Sequence, residues 1–217
     1  MNRTKCFWME PLDPPRERAW LRRYASGSKC TNPENHGYHN ARALVGDVSA
    51  HYKELEGEQA KHRLLICDMA KPPQDDPRWP SKCSCGYAFV PEDTWQLFTH
   101  LLYKRTDTGE ILTLEEAPGG AMWNAKWLES SAWCSGPDGR SIVAKLPDGY
   151  EWIVDGRASN CTKPEDNVHK CWVRHGEPPN LTVDKNGNTC AAGAGSILSP
   201  RAGNWHGFLR NGYLERC

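Results

Sequence analysis

The sequence has no long apolar run and no excess of charge of either sign. Its 27 basic and 27 acidic side chains give a formal net charge of +0, whereas proteins that bind nucleic acid through its phosphates usually present a net basic surface. No stretch approaches the roughly 18 to 20 apolar residues of a membrane-spanning helix. We therefore expect neither nucleic acid nor a membrane as a partner.

The first residues also lack the apolar segment of a secretory signal peptide. Residues 1–8 are followed by Pro11, Asp13, Pro14 and Pro15, whereas a signal peptide continues with an uninterrupted apolar stretch. We therefore expect a protein that is made in a reducing cytoplasm and is not secreted by a signal peptide.

Aliphatic side chains are scarce, but cysteine and tryptophan are abundant, with 10 of each among 217 residues. A chain with a thin aliphatic core needs large rings, cross-links or bound metal for stability. Cysteines in a reducing compartment favour metal ligation, with zinc as the expected ion. Disulfides are the alternative, because a protein released in a particle can oxidise after assembly.

The local patterns predict a mainly β protein with a small α or irregular N-terminal part, which is an α+β arrangement. Pro14 and Pro15 before a mixed charged and apolar segment indicate a short helix over 14–24. A second helix is expected over 47–62, followed by a short strand at 63–67.

From residue 95 onward, apolar and polar residues alternate between turn signals such as Pro147-Asp148-Gly149 and Asn211-Gly212. This pattern predicts hairpins that form a sandwich or a barrel-like sheet. We therefore expect an N-terminal arm and small α or irregular region over 1–78, and a Cys- and Trp-rich β domain over 79–217. The expected strands are 95–103, 110–114, 141–146, 150–154, 169–174, 181–183, 205–209 and 213–216.

The segment Cys83-Ser84-Cys85-Gly86 is the most specific metal-binding motif. Two thiols separated by one residue and followed by glycine form a tight turn that can chelate one tetrahedral ion. Two further ligands are needed, and Cys30 with His39 is the favoured pair; His36 in place of His39, or Cys67 with His62, are the alternatives. The two domains would then share this metal site. The competing interpretation is that Cys83 and Cys85 are free or paired with distant cysteines.

A second group of cysteines and histidines lies further along the chain. Cys171 and His175 have the even spacing of residues on one strand face, so Cys161, Cys171, His175 and Cys190 form a candidate cluster, with His169 nearby. The alternative, favoured because no compact ligand pair anchors the group, is that Cys171 packs in the sheet and the histidines sit at strand ends.

The aromatic residues and the last cysteine suggest contacts with other chains. Phe7, Trp8, Trp20 and Tyr24 have little local core to enter, so we expect the N-terminal arm to wrap a neighbouring subunit. Cys217 is a candidate intersubunit thiol. Six indoles of the β-rich half either form a core of rings or offer a stacking surface for sugars or bases; they are Trp123, Trp127, Trp133, Trp152, Trp172 and Trp205.

Several segments of the second half resemble an uncharacterised family of small proteins encoded by tailed bacteriophages and prophages. They are 119–123, 155–161, 169–179, 183–185, 189–197 and 206–212, and the resemblance extends over roughly 79–217. It implies a phage gene product, made in the bacterial cytoplasm and located in the virion. The family offers no catalytic residue to carry over.

No paired carboxylates, metalloprotease motif or serine triad spacing occurs, so we assign no catalytic residue. The expected function is a non-enzymatic phage structural or virion-associated protein, such as a capsid, neck or tail accessory or decoration protein, stapled by metal or disulfides. Its partners would be phage structural proteins or copies of itself. The alternative is an intracellular zinc-dependent phage enzyme or host-takeover factor that uses His169, Cys171, His175 and His206.

Overall fold

The computed structural model describes residues 3–25, 29–55, 63–187, 189–191, 197–200 and 204–217. Two compact units make up the chain. The first unit is Pro11–Tyr103, and the second unit combines Met1–Glu10 with Lys104–Cys217. The boundary between residues 78 and 79 that the sequence suggests lies inside the first unit.

The described residues form fifteen strands and contain no α-helix; two single 3₁₀ turns lie at Pro33–Asn35 and Lys126–Leu128. The strands are β1 (Arg3–Lys5), β2 (Phe7–Pro11), β3 (Arg16–Ala25), β4 (His39–Glu54), β5 (Arg63–Cys67), β6 (Thr94–Arg105), β7 (Ile111–Thr113), β8 (Ala121–Asn124), β9 (Ile142–Lys145), β10 (Glu151–Ile153), β11 (Val173–His175), β12 (Thr182–Asp184), β13 (Ile197–Leu198), β14 (His206–Arg210) and β15 (Tyr213–Arg216). The expectation of a mainly β protein is confirmed, but the α part is wrong for the described residues.

The first unit contains an antiparallel sheet with the strand order β6-β3-β4-β5. The helix predicted over 14–24 is wrong, because residues 16–24 belong to β3 (Arg16–Ala25), whose odd-numbered positions from Glu17 to Ala25 are all buried. The helix predicted over 47–62 is also wrong where it is described, since residues up to Glu54 belong to β4. Residues 56–62 lie outside the described residues.

A β-bulge interrupts the pairing of β3 with β4. Ala19 is opposite Gly46 and Trp20 is opposite Leu44, so one residue of β4 has no partner. Gly46 has a φ of +130°, a conformation that residues with a side chain rarely adopt. The bulge keeps Asp47 on the same side of the sheet as Arg18, its cross-strand partner.

The second unit contains two sheets and a small hairpin. One sheet has the order β10-β9-β8-β2, with β2 parallel to β8. The other has the order β1-β15-β14-β13, and β11 pairs with β12. The hairpins predicted around 147–149 and 211–212 are confirmed. Within the described ranges, neither sheet closes into a barrel, so that part of the expectation is not met.

Rings supply much of the core of the second unit, as one of the two interpretations of the indoles predicts. Trp123, Trp152, Trp172 and Trp205 are buried, and three of them pack in one cluster with Leu181, Leu209 and Leu214. The interpretation does not extend to Trp127 and Trp133, whose exposed fractions are 61% and 50%.

The N-terminal aromatics pack within their own chain. Phe7 and Trp20 are buried, Trp8 lies half-buried against the core of the second unit, and Tyr24 is half-buried on β3. The premise that these rings lack a local core is therefore wrong for Phe7 and Trp20, and the described part of the arm consists of sheet strands.

None of the described helical turns has the length or apolar character needed to cross a bilayer.

Candidate metal centres

The structure brings Cys30, His39, Cys83 and Cys85 together in the first unit, and we call these four residues the first cluster. Their ligand atoms all lie within 4.8 Å of one another. The Sγ atoms of Cys30 and Cys83 are 3.7 Å apart, and Nδ1 of His39 is 3.1 Å from Sγ of Cys85. A tetrahedral zinc ion with Zn–S bonds of about 2.3 Å and Zn–N bonds of about 2.0 Å separates two sulfurs by about 3.8 Å, and a sulfur from a nitrogen by about 3.5 Å. The cluster has the size and ligand chemistry of a zinc site.

A short turn positions the two cysteines of the Cys-x-Cys motif. The amide of Cys83 donates to the carbonyl of Tyr87 at 2.9 Å, and the amide of Gly86 donates to the carbonyl of Cys83 at 2.9 Å. Gly86 has a φ of +93°, so this turn requires a residue without a side chain. The motif therefore aims two sulfurs at one point, as the spacing predicts.

The other two ligands come from a loop and the first residue of a strand. The amide of Cys30 donates to the carbonyl of Gly37 at 3.0 Å, which closes the loop around the 3₁₀ turn Pro33–Asn35. His39 begins β4, and its ring stacks on Tyr87 with 4.1 Å between ring centroids. Tyr87 thereby holds the imidazole in the orientation that faces Cys85.

Hydrogen bonds to sulfur favour the ionised form of Cys83 in the first cluster. Nδ2 of Asn35 donates to the sulfurs of both Cys30 and Cys83, at 3.4 and 3.2 Å. Burial raises the pKa of Cys83, but hydrogen bonds from the backbone amides of Cys85 and Asn40 outweigh it and lower the pKa to about 6. A backbone hydrogen bond at Tyr87 lowers the pKa of Cys85, but burial and the neighbouring thiols of Cys30 and Cys83 raise it by more, so the pKa is raised overall. Because metal binding requires thiolates, a cation is the natural counterpart of this group.

Cys161, His169, Cys171 and Cys190 form a second cluster, within the second unit. Their ligand atoms also lie within 4.8 Å of one another, with Nε2 of His169 at 3.1 Å from Sγ of Cys161 and 3.9 Å from Sγ of Cys171. Three of the four residues are buried, and Cys161 is half-buried.

A hydrogen bond to the backbone orients the histidine of the second cluster. Nδ1 of His169 lies 2.8 Å from the carbonyl oxygen of Asp166, and only a protonated nitrogen can donate to a carbonyl. In the neutral imidazole Nε2 is then the nitrogen with the free lone pair, and it faces the sulfurs of Cys161 and Cys171. Such a bond from the other ring nitrogen is the usual support of a metal-ligating histidine.

Positive charge lies beside the second cluster. Nζ of Lys185 donates to the carbonyl oxygens of Cys171 and Cys190, at 2.5 and 2.6 Å, and so joins two ligand-bearing segments. A zinc ion held by three thiolates would carry a net negative charge, and this ammonium group would offset it. Burial raises the pKa of Cys171 to about 11, so its thiol stays protonated at neutral pH unless a metal replaces the proton.

The histidine of the second cluster differs from the one that the sequence suggests. His175 lies on β11, outside the cluster, and its Nε2 is 2.9 Å from Oδ1 of Asp184. The even spacing of Cys171 and His175 misled the prediction because β11 begins only at Val173, so Cys171 precedes the strand. The useful signal was His169-Lys170-Cys171, which repeats the one-residue spacing of Cys83 and Cys85. This pair is the compact anchor that the packing interpretation took to be missing.

The remaining candidates lie apart from both clusters. His36 and Cys67 are not members of the first cluster, and His62 falls outside the described residues. His206 lies on β14 and is exposed. Cys217 is exposed, and its role as an intersubunit thiol stays a prediction. All ten cysteines fall in the described ranges, and none of them forms a disulfide.

Comparisons with protein-family models, with curated proteins and with solved structures find no match to this chain. The phage resemblance therefore stays a prediction, and the functional argument starts from the two clusters.

Proposed function

We propose that this chain is a non-enzymatic structural protein whose two units are each cross-linked by a zinc ion. The observation that carries the proposal is the presence of two separate groups of three cysteines and one histidine, one in each unit. Thiolate and imidazole ligands select zinc over magnesium or calcium, which prefer oxygen.

The composition of the clusters favours a structural role over a catalytic one. Each cluster offers four protein ligands, which complete the coordination of a tetrahedral ion, whereas a catalytic zinc keeps one position open for water or substrate. A zinc enzyme built from His169, Cys171, His175 and His206 is disfavoured, because His175 is engaged with Asp184 and neither His175 nor His206 belongs to the second cluster.

The phage resemblance of residues 79–217 leads us to place the protein in the virion, as an accessory or decoration protein of the capsid, neck or tail. Phage structural proteins or further copies of the chain would be its partners. A particle must survive dilution and long storage, and a structural zinc site contributes its binding energy directly to folding. Abundant cysteine therefore suits this location.

Two measurements on a phage that encodes this chain test the proposal separately. Quantitative mass spectrometry of purified particles should find the chain at a fixed copy number per particle; its absence would refute the virion location. Metal analysis of the purified chain should find two zinc ions per chain. Zinc that exchanges its water ligand for small inhibitors such as sulfide or hydroxamate would reveal an open position and refute the structural role.

A further inference from the structure

One side of the sheet in the first unit carries an accumulation of arginine. On β3, the even-numbered residues from Arg16 to Tyr24 point away from the buried side, and cross-strand partners share a face of a sheet. We call this side, formed by those residues and their partners on β4 and β6, the arginine face. Arg16, Arg18 and Arg22 of β3 and Arg42 of β4 all belong to it.

The charge on this face is strongly one-sided. Among the even-numbered residues of β3 and their direct partners on β4 and β6, Asp47 is the one carboxylate, and Arg18 binds both of its oxygens, at 2.7 and 3.1 Å. Arg16 and Arg42 are exposed, and Arg22 is half-buried. The formal net charge of +0 for the whole chain therefore conceals a local excess of positive charge.

One cross-strand pair of the arginine face places two arginines side by side. Arg22 lies directly opposite Arg42 in the antiparallel register of β3 and β4. Arg22 donates to Oδ1 of Asn40 at 3.0 Å, and the guanidinium of Arg42 lies 5.7 Å from the ring centroid of Trp20, so neighbouring groups offset part of the repulsion between the two charges. A phosphate that reaches both guanidinium groups would add charge-assisted hydrogen bonds to this pair.

Aromatic rings alternate with the arginines. Trp20 lies between Arg18 and Arg22, and its ring contacts Phe98 and His100 of β6, with centroids 5.9 and 5.6 Å apart. The guanidinium of Arg22 lies 5.2 Å from the ring centroid of Tyr24.

Two of these rings are accessible as well as close to positive charge. Tyr24 and Phe98 are half-buried, so part of each ring faces solvent. Trp20 is buried and supports Phe98 from the side. The arginine face thus offers partly open rings next to cationic groups on a rigid sheet.

We propose that the arginine face binds single-stranded nucleic acid. Arginines track the phosphates and partly exposed rings stack on the bases, a combination that single-strand-binding proteins use. Duplex DNA stacks its bases inward and leaves the rings without a partner, and an acidic protein segment uses the arginines but not the rings. This inference revises the sequence prediction that nucleic acid is not a partner, because that prediction averaged the charge over the whole surface.

The direct test is fluorescence anisotropy of a labelled oligo-dT strand titrated with the zinc-loaded full chain. We expect saturable binding, with an association constant whose logarithm falls linearly with the logarithm of the salt concentration. The Arg22→Gln/Arg42→Gln variant should bind roughly tenfold or more weakly, with a salt slope smaller by about 1.4, since each lost phosphate contact on a single strand removes about 0.7. The control variant Arg78→Gln/Arg210→Gln removes the same charge from two exposed arginines outside the face and should bind like the wild type.

A second variant separates nucleic acid from other anions. Phe98→Leu keeps the charge and should weaken oligo-dT binding roughly 5-fold to 150-fold, because each stacked base contributes about 1–3 kcal/mol. Zinc content and circular dichroism report whether each variant is folded. No binding by the wild type, tighter binding of duplex DNA, or competition by polyglutamate that equals that of oligo-dT would each overturn the proposal.

Discussion

Replacing Cys83 by serine tests the cross-link in the first unit most sharply. Cys83 is 3% exposed, and its sulfur faces both Cys30 and the side chain of Asn35. Serine is nearly isosteric but offers a hydroxyl that binds zinc poorly at neutral pH. The variant should therefore lose the zinc ion of the first cluster and retain that of the second.

The expected loss of stability follows from the chain that the ion closes. Cys30 and Cys83 are 53 residues apart in sequence. In the chain-entropy treatment of cross-links, closing a loop of this length stabilises the folded state by about 4 kcal/mol. Because the total stability of a domain is typically about 5–15 kcal/mol, this loss is large enough to unfold much of the first unit at physiological temperature.

The assay combines metal analysis with urea unfolding followed by tryptophan fluorescence. Cys67→Ser is the matched control, since Cys67 is a half-buried thiol on β5 that lies outside both clusters. We expect the control to keep two zinc ions and to lose far less stability than Cys83→Ser. If Cys83→Ser kept both zinc ions, or if both variants lost the same free energy of unfolding, the first cluster would not be a structural zinc site.

Three further predictions concern the second unit. Lys185→Met removes the ammonium group that joins the carbonyls of Cys171 and Cys190. Because this group supports the ligands, a chromogenic chelator should extract one zinc ion roughly tenfold faster from the variant than from the wild type, and equal extraction rates would contradict this. Arg174 donates to the buried carboxylate of Asp155 at 2.9 Å. Arg174→Met removes this partner and should lower the free energy of unfolding, measured in urea titrations, by about 3–5 kcal/mol. A loss below about 1 kcal/mol would argue against a buried ion pair. Burial raises the pKa of Cys6 from 9.0 to about 12, so the thiol's contribution to stability is present below pH 9.0 and is lost as the pH rises toward about 12. Between pH 8 and pH 10 the wild type should therefore lose more free energy of unfolding than Cys6→Ala. Parallel curves of stability against pH for the two proteins would refute the raised pKa.

Much of 95–217 was predictable because most of its strands alternate in polarity and are separated by turn residues, although the strand predicted over 169–174 is wrong in its bounds, since β11 is Val173–His175. The hairpin of β9 and β10 and that of β14 and β15 were both found in this way. β1, β2, β8 and β13 were not predicted. The partners of β1 and β2 are β15 and β8, which lie far away in sequence. Local patterns carry no information about such distant pairs.

β3 was misread as a helix because charged side chains hide its alternation. Of its five buried odd-numbered positions, two hold Glu17 and Arg23. Both find partners that the sequence cannot reveal: Thr99 donates to Glu17 at 3.0 Å, and Arg23 donates to the carbonyl of Val90 and lies over the ring of Trp95. The burial of the side chains along β3 therefore alternates with a period of two residues, but their hydrophobicity does not.

The metal clusters show the same limit. The Cys-x-Cys motif indicated two ligands of the first cluster, and the choice of Cys30 and His39 followed from their closeness in one loop. In the second cluster, the choice of histidine depended on where β11 begins: the sequence analysis placed the start at residue 169, but the strand begins at Val173. The sequence indicated which residue types form the clusters, but only the fold shows which of these residues lie together.

Native mass spectrometry of the full-length wild-type chain, purified without added metal or chelator, tests the central claim most directly. We predict one dominant species whose mass exceeds that of the chain by two zinc ions, and which loses both ions on acidification as the thiolates are protonated. A metal-free chain, or a mass reduced by the hydrogens of disulfide bonds at these cysteines, would contradict the claim that zinc cross-links each unit.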